Sequence, residues 1–520
     1  MNVVLSSDFI NDPWMVFLLV RVLSVFFVQT WFVADEYWQA TEIAHHMAFG
    51  YGYQTWEWQH GIRSAVYPAI FGAIYKVLHL VKLDYPFLLV ELPRLLQAVA
   101  FSVGDYHIWK LSKELYCKES ASWTIICLIS SWFLEYCAPR TLTSSAETVL
   151  TSIALCYYPW KRKDGYSTGY LWLVGAACVI RPTAAIMFMP LCLEHLWKSR
   201  CKQKLIVRYL LTIGTVLLLS VGVDSWYYGH LVVVPWRFAH FNVVSGLSSH
   251  YGTHPWHWYL TQGIPGTLAT HLIPFLLAVA YFPGRHRALL PICIWSIFAY
   301  SCLSHKEFRF LLPILPLCLC IAGDYIAFEL TSRSKKADTN VVWRAMIILI
   351  FLILPNGLAL VYLGLVHQRG PLDAINVLRK EIAAHKDPSV LFLMPCHSTP
   401  YYSHLHRNIP LRFLTCEPNL QYEANYTDEA DVFEKAPLKW LHQEYGLKTH
   451  KVPDNTGENV WRGGSTGGIK SLPSHIMLFD VLLERIESFL SEHEFQFCHK
   501  IYNSLVVDGR RSKYILIFCR

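Results

Sequence analysis

Charged residues are scarce in this sequence. Lys, Arg, Asp and Glu together make up 16% of its 520 residues, whereas a soluble protein of this size carries about a quarter. Hydrophobic residues make up 53%, and the mean hydropathy is +0.29. This composition excludes an ordinary soluble enzyme and predicts a chain that crosses a membrane several times. The 19 Trp and 29 Tyr agree with this, because their rings favour the headgroup level of a bilayer.

Several motifs of soluble enzymes are also missing. The sequence has no CxxC pair spaced for zinc, no glycine-rich phosphate loop and no DxD run. A nucleotide-sugar donor held by a divalent metal is therefore not indicated, and we expect neither a metal nor another cofactor. Cys396 and Cys416 lie in a polar region and could pair. No basic segment precedes the first apolar run, so we expect that run to remain as a spanning helix rather than a cleaved signal peptide.

Apolar segments recur from Trp14 to about Val366. About eleven of them are long enough, or nearly long enough, to span a bilayer. They are 14–33, 91–110, 121–138, 144–160, 168–181, 183–197, 205–226, 265–283, 288–303, 308–330 and 342–366. A shorter apolar segment, 67–81, carries lysines at one end and is predicted to form an interfacial helix.

The loops between these segments differ in charge, and this predicts the orientation. Alternate loops are densely basic: 110–118, 161–163, 198–204, 285–287 and 332–336. Because basic loops stay in the cytosol, an odd number of spans places the C-terminal region on the other side, which we expect to be the lumen of the endoplasmic reticulum. The glycosylation pattern at Asn425 agrees with a lumenal position.

The composition changes near residue 370. Short apolar runs at 390–394, 505–507 and 514–519 are predicted strands, and 373–384 has a helical pattern. We therefore predict a transmembrane domain over 1–366, whose first lumenal loop is 34–90, and a small α/β lumenal domain over 370–520. Within the latter, 454–468 is rich in Gly, Asn, Thr and Ser and is predicted to be a mobile loop.

With this topology, the distinctive polar residues fall on the lumenal side. Asp35 and Glu36 follow the first span directly. A carboxylate held near an apolar wall suits a general base that takes a proton from a hydroxyl. An acidic pair that merely ends a helix at the interface is the alternative interpretation.

The lumenal cations suggest a phosphate site. They are Arg181, His254, His257, His305, Lys306 and Arg309. Arg offers a bidentate fork and Lys a point charge, and both can stabilise a phosphate leaving group. The HxxH spacing of His254 and His257 is typical of some metal sites, but Pro255 and Trp256 between them and the lack of a clear third ligand argue against zinc.

Longer motifs carry a resemblance to a known family. The segment DEYWQATEIAHHMAFGYGYQTWEW followed by GIRS (35–64) resembles the first lumenal loop of the dolichyl-phosphate-mannose-dependent mannosyltransferases, glycosyltransferase family 22, which have the GT-C fold. PRLLQA (93–98), YGTHPWHWYLTQGIP (251–265), SHKEFRFLLPILP (304–316) and MPCHSTPYYSHLH (394–406) are similar to the branch that acts on glycosylphosphatidylinositol (GPI) precursors. The resemblance covers nearly the whole chain.

The resemblance implies a reaction and a set of roles. Mannose would move from dolichyl phosphate mannose to a GPI precursor bearing two mannoses, in α1,2 linkage and with inversion. Asp35 would be the base, with Glu36 supporting or sharing that role. Arg181, His305, Lys306 and Arg309 would bind the donor phosphate. The candidates to line the sugar or acceptor are Trp56, Glu57, Arg63, His254, Trp256 and His257. The partners are these two glycolipids and membrane lipid, with no nucleic acid.

Two other functions remain open at this point. A sibling of the same fold could act on the lipid-linked N-glycan precursor or on another GPI mannose. A lipid transporter is the third possibility, but transporters place ionisable groups near mid-membrane, often in two related halves. Here only the span with Arg94 and Asp105 carries notable internal charge, and the sequence shows no repeat. The segment 394–406 could recognise the acceptor or only cap the site.

Overall fold

The computed structural model describes residues 12–160, 168–244, 252–334, 341–420, 426–445, 472–507 and 509–520. The basic loop 161–163, the end of the loop 332–336, Asn425 and the loop 454–468 lie outside these ranges. The chain forms two compact units. The helical unit comprises Met1–Val28, Gly61–Tyr67 and Glu91–Gly364, and the sheet unit comprises Gln29–His60, Pro68–Val90 and Leu365–Arg520.

Most described residues are helical. The α-helices are α1 (Trp14–Phe27), α2 (Glu42–Phe49), α3 (Trp56–Gln59), α4 (Val66–Leu80), α5 (Pro86–Leu115), α6 (Lys118–Ser130), α7 (Trp132–Cys137), α8 (Thr143–Tyr157), α9 (Tyr170–Ile180), α10 (Ala184–Lys198), α11 (Lys202–Tyr228), α12 (Val234–Ala239), α13 (Ile264–Leu268), α14 (Leu272–Tyr281), α15 (Leu290–Ser301), α16 (Leu315–Ser334), α17 (Val341–Leu365), α18 (Gly370–Ala383), α19 (Tyr402–Leu405), α20 (Glu429–Lys435), α21 (Pro437–Tyr445) and α22 (Leu483–Glu492). Wider π-helical turns occur at Tyr37–Thr41, His240–Val244 and Tyr259–Gly263, and 3₁₀ turns at Ala269–His271, Pro283–His286, Phe308–Leu311 and Asp480–Leu482.

Four helical stretches of the described chain are long and apolar enough to cross a bilayer. They are Pro86–Leu115, Lys202–Tyr228, Tyr259–Tyr281 and Val341–Ala383, in the last of which α17 is the apolar part. Shorter apolar helices include α1, α4, α9 and α15. The first apolar segment is helical over a shorter length than predicted, because α1 ends at Phe27 and Gln29 begins the sheet unit. The chain is a multi-pass membrane protein, and the number of eleven spans stays a prediction.

The helical unit packs some of its helices backbone to backbone. Gly323 in α16 faces α6 so closely that an added Cβ would lie 2.8 Å from the backbone nitrogen of Thr124. Small residues allow such close approach where lipid offers no hydrophobic driving force. In this pair of helices, Ser120 donates a hydrogen bond to Asp324 at 2.6 Å, and the Arg285 guanidinium donates to the same carboxylate at 2.8 Å.

Arg94 and Asp105, the internal charges expected from the sequence, are paired, and so is Arg21, an internal charge of the first predicted span that was not expected. Arg21 in α1 is fully buried and binds Asp105 at 2.7 Å and Glu135 at 2.7 Å. Arg94 binds Glu91 at 2.7 Å and donates to the Val25 carbonyl at 2.9 Å. Ionisable groups at membrane depth are costly unless they are paired inside the protein. The charges that a transporter interpretation would use therefore have structural partners.

The sheet unit contains a five-stranded mixed sheet. Its strands are β1 (Val390–Leu393), β2 (Leu411–Phe413), β3 (His475–Phe479), β4 (Gln496–Tyr502) and β5 (Tyr514–Cys519), in the order β2-β1-β3-β5-β4. β1 pairs in parallel with β2 and β3, and β5 is antiparallel to β3 and β4. A parallel core needs cover on both faces, and both are covered here.

Alternate side chains of β1 enter the two layers of this core. Val390 and Phe392 pack with α18 and with aromatic residues of the first loop, including Trp38. Leu391 and Leu393 pack with α20, α21 and α22. This is why 390–394 reads as a continuous apolar run rather than an alternating one.

Two of the three predicted strands are confirmed, and the third is wrong. The segments 390–394 and 514–519 contain β1 and β5. The residues 505–507 are not a strand; their side chains are 65%, 64% and 55% exposed. The strand that pairs with β5 ends at Tyr502, and Asn503 and Ser504 lead into the turn. Apolar residues at an exposed turn were therefore mistaken for a buried strand.

Candidate active site

The acidic pair lies at the start of a helical segment in the sheet unit. The amides of Tyr37 and Trp38 both donate to the Ala34 carbonyl, at 3.0 and 3.1 Å, so the helical backbone begins immediately before Asp35. Asp35 is half-buried and Glu36 is buried. Acidic residues are common at this position, because a helix N-terminus carries a partial positive charge.

Asp35 lies near His397 of the motif 394–406. Burial lowers the pKa of His397 to about 4, and the charge of Asp35 opposes this shift without reversing it. The imidazole packs edge-on against Trp38, with ring centroids 4.8 Å apart. Its Nε2 atom is shielded from solvent and has no hydrogen-bond partner among the described residues. The structure therefore brings a neutral imidazole to the acidic pair.

Glu42 joins the first loop to the same motif. Its Oε1 accepts hydrogen bonds from the Tyr401 amide (2.7 Å), the Ser403 amide (3.2 Å) and the Ser403 hydroxyl (2.6 Å). Glu42 is fully buried and directly follows the π-helical turn Tyr37–Thr41. Tyr401 also packs edge-on against Trp38 at 5.0 Å. The segment 394–406 thus supports the helix that carries the acids.

A disulfide holds the segment around His397. Cys396 and Cys416 are joined, and they tie the residues after β1 to those after β2. Cys498 and Cys519 form a second disulfide, which links β4 to β5. The first pair was left open in the sequence, and the second was not anticipated.

Two further predicted site residues lie in the sheet unit. Glu57 is half-buried and accepts a hydrogen bond from the Gln39 side-chain amide at 3.3 Å. Trp56 is only 3% exposed, so its ring presents little surface for a ligand. Whether these residues contact a sugar stays a prediction.

In the helical unit, a second cluster forms around Glu307. Arg309 makes two hydrogen bonds with this carboxylate, from Nε at 2.6 Å and from Nη2 at 2.7 Å. The Nε2 atom of His305 lies 3.0 Å from its Oε1. Glu307 has an extended backbone (φ −139°, ψ 154°) just before the 3₁₀ turn that holds Arg309, which brings the two side chains together.

Opposite charges within this cluster shift the pKa values of Glu307 and His305 toward their ionised forms. Burial alone would raise the pKa of Glu307, but the charge of Arg309 and the hydrogen bonds from His305 and Arg309 lower it well below its usual range. Burial alone would lower the pKa of His305, but the hydrogen bond and charge of Glu307 raise it. Each shift is toward the ionised form of the group, and binding of an anion by this cluster stays a prediction.

The segment that contains His254 lies against this cluster. Lys306 is buried and donates to the His254 carbonyl at 2.9 Å, and the His254 amide donates to the Ser304 carbonyl at 3.0 Å. Trp256 is 69% exposed and His257 is also exposed. The two predicted lumenal segments 251–265 and 304–316 are thus neighbours within the helical unit.

Arg181 belongs to the same part of the helical unit. It binds Glu147 at 3.1 Å, and its guanidinium lies over the ring of Phe310 at 4.5 Å. The structure therefore brings all four predicted phosphate-binding residues into one region.

Arg63, a predicted substrate residue, has its guanidinium over Phe238 at 5.8 Å.

Comparisons with known proteins identify the family of the chain. Residues 13–406 match the family described as the Alg9-like mannosyltransferase family. The chain belongs to this family. It is 42% identical to human GPI alpha-1,2-mannosyltransferase 3 over 97% of its own length and 86% of the relative's. It is 38% identical to the Drosophila melanogaster GPI mannosyltransferase 3, over 95% of this chain and 84% of the relative. The chain is therefore a glycosyltransferase.

A solved structure confirms the GT-C fold. ArnT from Cupriavidus metallidurans, in a crystal structure bound to undecaprenyl phosphate, aligns with a TM-score of 0.58 at 12% identity. The alignment covers 97% of this mannosyltransferase and 96% of that chain. At this identity the likeness shows the fold alone.

In this mannosyltransferase, three residues that organise the two candidate clusters, Glu307 in the helical unit and Glu42 and His397 in the sheet unit, were not assigned these roles from the sequence. Glu307 was present in the motif 304–316 but was not assigned a role among the cations. Glu42 was hidden within the first-loop motif, and its distant position in the sequence gave no indication of its partner Ser403. His397 was noted within 394–406, but only the structure places it near Asp35.

Proposed function

We propose that the enzyme transfers mannose from dolichyl phosphate mannose to a GPI precursor that already bears two mannoses, forming an α1,2 linkage. The similarity to GPI alpha-1,2-mannosyltransferase 3 over nearly the whole chain carries this proposal. The reaction takes place in the endoplasmic reticulum membrane, with the site and the C-terminus lumenal. The orientation can be tested by glycosylation, because a lumenal Asn425 should carry a glycan that is lost in Asn425→Gln.

The proposed chemistry is a single displacement with inversion. The acceptor hydroxyl oxygen bonds to C1 of the mannose as the bond from C1 to the phosphate oxygen breaks, and dolichyl phosphate leaves. Asp35 takes the hydroxyl proton, and Glu36 supports its charge or shares the role. The position of Asp35 at the start of a helical segment, half-buried rather than enclosed, supports its role as the group that accepts this proton.

The leaving phosphate requires positive charge. Arg181, His305, Lys306 and Arg309 supply it in this proposal, and Glu307 holds His305 and Arg309 in place. Such fixed groups stabilise the charge of the departing phosphate without reorganising during the reaction. Glu57, Arg63, His254, Trp256 and His257 line the sugar or the acceptor, whereas the buried Trp56 would have to be uncovered to do so.

The first test is a membrane assay with radiolabelled mannose in cells that lack the third GPI mannosyltransferase. The chain should convert the two-mannose GPI intermediate to the three-mannose form. Asp35→Asn should reduce turnover by about 10²–10⁴-fold, the usual worth of a positioned base. Glu484→Gln, which changes an exposed carboxylate on α22, is the matched control and should keep full activity.

The outcomes separate the alternatives. If the two-mannose intermediate accumulates although the chain is well expressed, the proposed acceptor is wrong, and the N-glycan precursor is the next substrate to test. If Asp35→Asn retains activity while Glu36→Gln does not, Glu36 is the base. If both variants are active, the acidic pair does not act in catalysis.

A further inference from the structure

A second group of ionisable side chains lies in the sheet unit, and the proposed reaction uses none of them. Glu381 is in the last turn of α18, His385 follows two residues after the end of that helix, and His475 is the first residue of β3. Each offers one ligand atom, and these atoms lie within 4.8 Å of one another. The rings of His385 and His475 are nearly perpendicular, with centroids 4.6 Å apart.

The hydrogen bonds of His475 determine which of its nitrogens is free. The Ser474 hydroxyl lies 2.8 Å from the Ser389 carbonyl, which can only accept, so the hydroxyl hydrogen points there. The hydroxyl oxygen must therefore accept from the Nδ1–H of His475, 2.8 Å away. The Nε2 atom is left with a bare lone pair, and it is buried without a hydrogen-bond partner among the described residues.

This arrangement is that of a metal-binding histidine. Such a residue usually donates its second ring N–H to a fixed oxygen, which sets the tautomer and orients the ring. His475 is fully buried, and its Nε2 lone pair has no hydrogen-bond partner among the described residues, as binding of a metal ion through that atom requires. A neutral histidine serving only to fill the core would leave this lone pair uncompensated.

The carboxylate of Glu381 is also oriented by a hydrogen bond to a neighbouring side chain. The Nε2 atom of His499 on β4 lies 2.9 Å from its Oε2. Carboxylates that bind metals are commonly held by such a neighbouring donor. A carboxylate has two oxygens, so this contact leaves Glu381 able to offer a ligand atom within 4.8 Å of those of His385 and His475.

We propose that Glu381, His385 and His475 bind a divalent transition-metal ion, with zinc as the expected occupant, and that His499 orients Glu381. Two imidazoles and a carboxylate suit zinc, whose ligand atoms lie roughly 3.3 Å apart in tetrahedral geometry. Binding requires small side-chain rotations of the half-buried Glu381 and His385. The ion would fasten the end of α18 to the first residue of β3, and the proposed mannosyl transfer stays metal-free.

The test uses the full-length protein in detergent, stripped with EDTA, incubated with a slight excess of Zn²⁺ and then desalted. Inductively coupled plasma mass spectrometry should detect about one retained zinc ion per chain, because the three residues form one site. His475→Gln and His385→Gln should each lose it, whereas His442→Gln, which changes a surface histidine on α21, should retain it. His385→Gln alters a half-buried residue beyond a helix end, so it remains informative if His475→Gln fails to fold.

A thermal unfolding measurement supplies the second readout. Zn²⁺ should raise the unfolding temperature of the unaltered protein and of His442→Gln but not of His385→Gln, because only a bound ligand stabilises the folded state. The proposal is overturned if the desalted protein retains no zinc. It is equally overturned if His385→Gln and His475→Gln retain as much zinc as His442→Gln.

Discussion

The hydrogen bonds of Glu42 allow a quantitative prediction about the support of the acidic helix. In Glu42→Ala, the amides of Tyr401 and Ser403 lose their acceptor and remain buried. The Ser403 hydroxyl has an alternative partner in His404 Nδ1, 2.8 Å away, so it is not left unpaired. Two buried donors without partners cost about 1–3 kcal/mol each, which predicts a loss of about 2–6 kcal/mol.

Glu42→Gln is the matched variant. The amide oxygen can accept the same three hydrogen bonds, and the amide nitrogen takes the place of Oε2, which has no hydrogen-bond partner among the described residues. Burial raises the pKa of Glu42, and the hydrogen bonds from Ser403 and Tyr401 only partly oppose this. A carboxyl group whose pKa is higher in the folded than in the unfolded protein stabilises the fold less as pH rises above the unfolded pKa. The stability of the unaltered protein relative to Glu42→Gln should therefore fall with rising pH.

The assay is the rate at which mannosyltransferase activity is lost on heating in detergent, because membrane proteins of this size seldom unfold reversibly. If the contact breaks before the unfolding transition state, a loss of 2 kcal/mol accelerates inactivation by about 30-fold. Glu42→Ala should show at least this effect, and Glu42→Gln a much smaller one. Equal inactivation rates for Glu42→Ala and the unaltered protein would refute this account of the first loop.

Three further predictions concern the cation cluster and the first disulfide. Arg309→Lys loses the two-point bond to Glu307 and should lower kcat/KM for dolichyl phosphate mannose by about tenfold or more; an unchanged value would exclude a role for this geometry. Because Glu307 raises the pKa of His305, donor binding should weaken as pH rises through that pKa. His305→Gln should abolish this dependence of KM on pH, and a persisting dependence would assign it to another group. Replacing both Cys396 and Cys416 with Ser, across a separation of 20 residues, should lower stability by about 3 kcal/mol, measured as a lower thermal midpoint; an identical midpoint would contradict a stabilising disulfide.

The sequence predicted those features that depend on composition over many residues. Long apolar segments indicated the membrane helices, and continuous apolar runs at 390–394 and 514–519 indicated buried strands. The same rule failed at 505–507, where three apolar residues occur in an exposed turn. Hydrophobicity alone cannot separate these cases, because a strand requires a neighbour with which to pair its backbone.

The internal connections of the candidate site were not predictable in the same way. Glu307 and Arg309 are two residues apart, a spacing that does not bring side chains together on a helix. They meet because Glu307 is extended and Arg309 lies in the 3₁₀ turn that begins at Phe308. Individual cations could therefore be proposed as phosphate-binding residues from the sequence. The carboxylate of Glu307, which holds two of them together, could not be identified in this way.

The position of Asp35 shows why the acidic motif depends on the far end of the chain. Asp35 follows the first apolar helix in sequence, yet residues 29–60 belong to the sheet unit. The Trp31 amide donates to the Gln368 carbonyl at 2.9 Å, and Glu42 binds the Tyr401 amide across 359 residues of sequence. A catalytic group must be held to within about 0.5 Å of its working position. If Asp35 is the base, as proposed, these contacts favour a positioning role for the segment 394–406 over a simple cap.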